Sequence, residues 1–575
     1  MRLSISKSKN TELFYIIEST YINKKHSTRI VEKLGNLDEV KTKANGKDPY
    51  LWAKEYAEKL TLQEKENKRT IIKSYSQNKL ISKNEKINFN CGYLFLQKIY
   101  YDLKLNKICN TISDKYQFKF DLNDILSKLV YGRIIFPSSK LKTFEESQKF
   151  LEGPNFEYHH IGRALEKICL ESDFIQSELY KNSLKYKPRN NKILYYDLTN
   201  FFFEIEQEDD LRKYGVSKEH RSNPIVQFGL FMDGDGLPLC CDINPGNTNE
   251  NKTLKPLEEK IIKDFELSKI VVCTDAGLAS KANRKFNNTN NRKFITTQSI
   301  KKLKEDYKTW AFDKTGWKIP NIPNKTIDIS SLFTNEELAK KFKDTTFYKE
   351  RWIKEDGLEQ RIIVTFSLKY KNYQEKIRQS QINRAQKLID SNPKKIGKPK
   401  QNDFKRFIDT IVTTNDGEVA ENNNYSINQK AIEEEAKYDG FYAVCTNLED
   451  EAKDIVKVNH QRWEIEESFR LMKSEFKSRP SYLSREDRIK AHFLTCFIAL
   501  VIYRYLEKKL DEKYTSSEII DTLQNMNFSK KDNDYIPNYI RTDLTDELHE
   551  KFGFRTDYEI ITEKNIKKIF KSLKI

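Results

Sequence analysis

The sequence predicts an α/β core interrupted by an inserted domain and flanked by helical regions. Three observations predict it. Three aromatic and β-branched runs, at 192–204, 224–233 and 237–244, follow one another with short returns, as the strands of an antiparallel meander do. Two further strand-like runs, at 268–277 and 293–299, alternate with helical stretches at 249–265 and 278–286. After Ile300 this order breaks, and strand character of the same kind returns at GFYAVCTN, residues 440–447. Three antiparallel strands, helix, strand, helix, strand is the ribonuclease-H-like order, a mixed five-stranded sheet with helices.

Taken in order, residues 1–185 read as mainly helical. Alternating residues from Leu13 to Tyr21 and from Thr28 to Leu34 suggest a β-hairpin, and a Lys/Glu-rich helix follows from Leu51 to about Asn67. From Tyr93 to Tyr180 apolar residues recur at i, i+3 and i+4, the period of amphipathic helices. Pro137 with Ser138 and Ser139 stops one helix and caps the next. A DNA-binding module and a packing domain both fit this region. Residues 186–300 form the first part of the core, and 301–437 an inserted α+β domain with a Lys/Pro/Gly linker at 391–401. Residues 438–482 complete the core with a helix, and 483–575 form a helical, Lys-rich end.

The 575 residues carry 102 Lys and Arg against 85 Asp and Glu, a net charge of +17. That excess favours a polyanionic partner, nucleic acid before membrane. The eight cysteines form no CxxC pair and the seven histidines no HExxH, which points to a reduced cytoplasmic protein without a zinc site. The most apolar stretch, Ala491 to Leu506, is shorter than the ~20 residues of a membrane span and contains His492 and Arg504. A buried helix is expected there, no signal peptide is seen, and no membrane association is expected.

Candidate chemistry converges on Gln461 to Pro480. On a helix, Ile465, Phe469, Met472 and Phe476 form one apolar stripe, while Asn459, Arg462, Glu466 and Lys473 form the neighbouring one. Paired charges on one helix face are usually a solvated surface. Two strand-borne aspartates change that reading. Asp197 sits inside the first strand of the core and Asp275 closes the fourth, and these two strands lie side by side in the expected order. Carboxylates on adjacent strands within apolar runs repel unless a cation lies between them. Glu466 aimed inward would complete an all-oxygen cage for Mg²⁺ or Mn²⁺. Two such ions, ~3.5–4 Å apart, suit in-line displacement at phosphorus, and Arg462 and Lys473 are placed to hold phosphates. Trp310, Trp317 and Trp352 can stack on a displaced base, but core placement is the better reading. Asn247 and Glu250 precede the first core helix and can orient site residues.

At these residues the chain resembles the insertion-sequence-four superfamily of DDE transposases. The helix matches their Y-x2-R-x3-E-x6-K motif, here Asn459, Arg462, Glu466 and Lys473. The likeness extends through YDLTNFFFE, GVSKEHRSNPIVQFGLFMD, PGNTNENKT, VVCTDAGLASKAN and AHFLTCFIALVIYRYLE. It implies a nucleoid-associated enzyme that cuts double-stranded DNA at terminal inverted repeats and joins the freed 3′-ends to target DNA. It also implies Asp197, Asp275 and Glu466 as ligands of two Mg²⁺ or Mn²⁺ ions, Arg462 and Lys473 as DNA contacts, and a dimer in the synaptic complex. Asn459 departs from the motif tyrosine; it can hydrogen-bond a phosphate but offers no ring. Two other readings fit the residues: a ribonuclease-H-like nuclease without strand transfer, and a non-catalytic DNA-binding derivative.

Overall fold

The structure, a computed structural model, describes all 575 residues except 9–10, 23–24, 68–70, 72, 268, 290, 321, 356, 392–402, 413–422 and 480. Most of the 391–401 linker therefore lies outside the described residues. The chain divides at 85/86 into two units, where the change from helical to strand periodicity places the first boundary at 185.

In the first unit β1 (Arg2–Lys7), β2 (Glu12–Ile22) and β3 (Lys25–Asn36) form an antiparallel sheet in that order. The predicted hairpin is β2–β3; β1, whose Leu3 and Ile5 alternate with polar residues and pack on the core, was not foreseen. Asn36 caps the helix Leu37–Ala44, its side chain accepting from the Glu39 N–H while Glu39 reaches back to the cap. Phe14, Ile16, Leu34, Val40, Ala53 and Ala57 form the core.

The second unit opens on β4 (Asn88–Asn90) and six helices between Tyr93 and Tyr186. It then builds one sheet from β5 (Ile193–Phe202), β6 (Ile225–Asp233), β7 (Pro238–Pro245), β8 (Ile270–Thr274) and β9 (Arg292–Gln298). β5 pairs antiparallel with β6 and parallel with β8, so the first and fourth strands are neighbours. Gly236, at φ +73°, closes the β6–β7 turn, where a Cβ would collide with the Glu464 carboxylate.

The insertion does not form a sheet apart from the core. β10 (Trp317–Ile319), β11 (Ile322–Ile327), β12 (Thr346–Glu355) and β13 (Leu358–Ser367) join the same sheet and, with β16 (Phe441–Thr446), give the ten-stranded order β11-β10-β12-β13-β16-β9-β8-β5-β6-β7. A separate hairpin, β14 (Ile408–Val412) with β15 (Asn423–Ile427), packs with the helix Leu368–Ser391. The link is β16 (Phe441–Thr446), paired antiparallel with both β9 and β13. An unpaired strand edge exposes backbone donors and acceptors, and β13 satisfies the free edge of β16. Local sequence cannot say which edge that is.

The helices from Tyr93 to Tyr186 and the C-terminal helical region are likewise not separate. The helix Glu486–Lys509 passes every test of length and apolarity for a membrane span, yet 94% of its apolar window is buried inside the protein. A helix apolar all round needs neighbours all round. Helices Tyr93–Asp102, Leu122–Ile135 and Tyr158–Leu170 from the N-terminal side supply them. β4 also pairs with β17 (Asn527–Lys531), which carries β18 (Asp534–Pro537), so the C-terminal region includes a small sheet.

In this C-terminal part His549 accepts from the Thr556 N–H at 3.1 Å through Nε2. Its burial pushes its proton affinity down to about 4. The folded chain binds that proton more weakly than the unfolded chain, whose histidine titrates near ~6.5. Stability is therefore complete above ~6.5 and falls as pH drops toward 4, by ~3 kcal/mol at most. Urea midpoints at pH 7 and 4.5 check this. The loss is expected to shrink in His549→Gln, and an equal loss in both proteins would refute the assignment.

Candidate active site

Period-two alternation sets the face on which Asp197 projects. Along β5, Leu194, Tyr196 and Leu198 enter one core, while Tyr195 and Phe201 enter the other. Asp197 shares the parity of Tyr195 and Phe201, and the helix Trp463–Ser474 packs against β5. That helix is seated by the predicted stripe, with Ile465, Phe469, Met472 and Phe476 all buried. Arg504 of the long helix locks it from behind, donating to Ser468 Oγ at 2.9 Å and pairing with Glu507 at 2.5 Å.

Each aspartate has one oxygen tied to the backbone. Asp197 Oδ1 accepts from the Leu198 N–H at 2.7 Å, and Asp275 Oδ1 from the Leu278 N–H at 3.0 Å. Asp197 Oδ2 faces Arg462 Nη1 at 3.5 Å, and Arg462 Nη2 lies 3.2 Å from Glu466 Oε1. One guanidinium therefore joins the strand carboxylate to the helix carboxylate. Burial pushes the Asp197 proton affinity up to about 6; Lys218, the Leu198 N–H and Arg462 oppose this, and the Asp275 charge adds to it. Lys218 also donates to the Leu198 carbonyl.

Glu466 is 60% exposed. Its carboxylate does not close on both aspartates. The one group of three His, Cys, Asp or Glu among the described residues whose ligand atoms all lie within 4.8 Å is Asp546, His549 and Asp557. Those two carboxylates are already paired with Arg541 and Arg555. The three candidate residues nonetheless fit a divalent cation by donor chemistry. They offer oxygen alone, and the charge of a buried carboxylate beside a second one is stabilised by a cation.

The other motif positions behave differently from the single stripe predicted. The helix breaks at Gln461–Arg462, leaving Asn459 on the preceding helix, Ala452–His460. The Tyr195 hydroxyl holds that turn by donating to Gln461 Oε1 at 3.2 Å. Asn459 is 2% exposed. Its amide donates to the Tyr442 hydroxyl at 2.7 Å, and its carbonyl accepts from Cys273 Sγ at 3.7 Å. Asn459 is thus bonded within the protein. Tyr442→Phe removes the acceptor of its amide, and with it the hydroxyl contact to Thr297 at 2.8 Å, and is expected to cost ~1–2 kcal/mol, read as a lower melting temperature; an unchanged melt would show both bonds to be dispensable. Lys473 pairs with Glu219 at 3.1 Å and lies over the Phe201 ring. Burial and Lys218 push its proton affinity down to about 8.

Sequence reasoning missed Lys218 and Glu219, which lie in the GVSKEHRSNP loop between β5 and β6. Their signal was their place in that loop, since no spacing relates them to the helix they meet. Glu219 also pairs with Arg479. Glu250 and Asp275 both border Gly277, where a Cβ would lie 3.3 Å from Asp275 Oδ2 and 3.6 Å from Glu250 Oε2. Asn247 is exposed. A groove of about 530 Å³ beside Arg462 and Glu466 is lined by Tyr370, Tyr373, Tyr442, His460 and Trp463. Of the three inserted tryptophans, Trp317 is fully buried, Trp310 packs against the same core, and Trp352 is 44% exposed.

Residues 202–502, just over half of the chain, match the family model described as the transposase DDE domain. The chain belongs to the DDE transposase family. No curated protein matches it. Among solved structures it is similar to a piggyBac transposase synaptic complex with hairpin DNA, at 10% identity and TM-score 0.34 over 84% of each chain. It is also similar to the Mos1 transposase paired-end complex with left transposon end, at 10% identity and TM-score 0.14 over 45% of this chain and 71% of that one. Asp275 and Glu466 lie within the DDE match, and Asp197 lies five residues before it.

Proposed function

We propose that this DDE transposase cuts double-stranded DNA at the terminal inverted repeats of an insertion sequence and joins the freed 3′-ends to target DNA. The observation that carries this reading is Arg462, whose guanidinium joins Asp197 on β5 to Glu466 on the helix, with Asp275 directly following the parallel neighbour strand β8. The strand order β9-β8-β5-β6-β7 supports a ribonuclease-H-like core, and the motif residues support the insertion-sequence-four superfamily.

Asp197, Asp275 and Glu466 would hold Mg²⁺ or Mn²⁺. When bound, two such ions lower the pKa of an attacking water or 3′-hydroxyl and stabilise the leaving oxygen. The chain's own residues do the rest. Asp197 and Asp275 are held rigid by the Leu198 and Leu278 N–H groups, so their free oxygens keep a set position. Arg462 keeps a forked positive charge beside the carboxylates and is suited to a phosphate. Lys218 adds a second charge on the same side of β5. Lys473 contributes to DNA through the field it shares with Lys218, its ammonium being paired with Glu219.

The test supplies the chain with Mg²⁺, a fragment ending in a pre-cut 3′-hydroxyl inverted repeat taken from the DNA flanking its gene, and a plasmid target. Joined products are expected. Cutting of uncut ends without joining would leave a nuclease, and DNA binding without either would leave a non-catalytic derivative. Two ends held together imply at least a dimer on DNA, to be read from the mass of the complex.

A further inference from the structure

A second cavity, of about 410 Å³, lies away from the three carboxylates, where the segment leaving the Glu466 helix meets the N-terminal helices. Among the described residues lining it are Arg133, Lys140, His492, Ser481, Tyr158 and Tyr482, and none of the described lining residues is acidic. Arg133 is 3% exposed. It donates to the carbonyls of Phe476 at 3.1 Å, Lys477 at 3.2 Å and Ser138 at 2.9 Å, which leaves its buried Nε without a partner. Ser481 Oγ is buried and unpartnered as well.

Lys140 Nζ lies 3.1 Å from His492 Nδ1, and His492 Nε2 lies 3.0 Å from the Ser478 carbonyl. A carbonyl only accepts, so Nε2 carries the imidazole proton and Nδ1 accepts from the ammonium. Lys140 has no carboxylate partner among the described residues; burial and the Arg133 charge push its proton affinity down to about 7. A guanidinium, an amine that a bound anion would keep protonated and a free hydroxyl thus line a cavity whose described lining holds no acidic side chain. Unpaired buried charge is costly, and an anion bound there removes that cost. At the mouth, Tyr482 is 74% and Tyr158 46% exposed, an aromatic rim of the kind that meets sugars and bases.

We propose that this cavity binds a backbone phosphate of DNA, gripped by Lys140, Arg133 and Ser481, at a site separate from the catalytic carboxylates. It rests on the reading of this chain as a DNA-processing enzyme. Because Arg133 and His492 also hold the carbonyls of residues 476–478, a phosphate here would be anchored to the segment that ends the Glu466 helix.

The test measures binding of a labelled duplex by fluorescence anisotropy across salt concentrations, for the full chain, Lys140→Met and Lys140→Arg. Circular dichroism melts establish that each variant is folded. Lys140→Met is expected to bind about five- to tenfold more weakly, with the slope of log K against log salt reduced by about 0.9. Lys140→Arg should retain most of both. Unchanged affinity and slope in folded Lys140→Met would overturn the proposal. A parallel arm adds inorganic phosphate and reads the melting temperature. If phosphate stabilises the wild type and not Lys140→Met while DNA binding is equal in the two, the cavity takes free phosphate and the backbone assignment is overturned. If the wild type binds no DNA, the DNA reading of the whole chain fails instead; the phosphate arm then shows separately whether the anion pocket stands.

Discussion

Asp197→Asn is expected to slow DNA cleavage by at least about 10²–10³-fold, the scale of losing one preorganised charge-stabilising group, without weakening the fold. The two halves of that result come from one observation. Asp197 is 8% exposed, and its carboxyl is pushed from 3.8 to about 6, with burial as the largest cause. A carboxyl whose folded pKa is raised adds stability only at low pH, and that contribution is lost as pH rises through ~4 to ~6. At pH 8 without metal, the ionised Asp197 therefore costs the fold up to ~3 kcal/mol. Asparagine keeps the shape and removes the charge, so the EDTA-treated variant should melt at the same temperature or higher. A carboxylate retained at a cost in stability fits a group kept for chemistry. Cleavage within a few-fold of wild type, or a melt several degrees lower, would sink the assignment.

Arg189→Ala is expected to cost ~3–5 kcal/mol, enough to leave many domains unfolded at 37 °C. Arg189 and Asp233 are 1% and 0% exposed at their side chains, with Nε and Oδ2 2.6 Å apart. The guanidinium also donates to Ser183 Oγ at 2.8 Å and to the carbonyls of Leu237 and Pro238 at 3.0 Å. Asp233 in turn accepts from the N–H groups of Asp235 and Leu237. Removing the arginine strands a buried carboxylate and takes a donor from two backbone carbonyls at once. Urea unfolding measures the loss. The double variant Arg189→Met with Asp233→Asn should recover most of it, because the stranded charge goes with the cation. No recovery would show that packing, and not the charge, dominates.

The same pair marks where local reading stops. In KPRNNK the arginine looks like an ordinary loop cation ahead of a strand, and the expected domain boundary fell four residues before it. Nothing local shows that it is buried against the far end of β6. The sheet is the opposite case. Runs such as KILYYDLTNFF and SKIVVCTD announce strands through β-branched and aromatic residues, and the rule that short returns give antiparallel neighbours orders the first three. The apolar stripe Ile465, Phe469, Met472 and Phe476 was legible because 3.6-residue periodicity is local. The stripe Asn459, Arg462, Glu466 and Lys473 was legible as spacing only. The turn at Gln461–Arg462 separates Asn459 from the helix, held by Tyr195 from a strand more than 260 residues away in sequence.

The sequence by itself determined the strands and helices of the core, the apolar stripe that seats the Glu466 helix and the burial of the helix at 491–506. These follow from interactions within a few residues, which periodicity records. Tertiary structure alone decided that the insertion extends the core sheet and that the helices from Tyr93 to Tyr186 share one core with the C-terminal helices. It also decided that Asn459 bonds to Tyr442, that Glu219 holds Lys473, and that Lys140 and Arg133 meet at a cavity free of acid. Each of these joins residues distant in the chain, and the desolvation and pairing of buried polar groups that select them leave no periodic trace in the sequence.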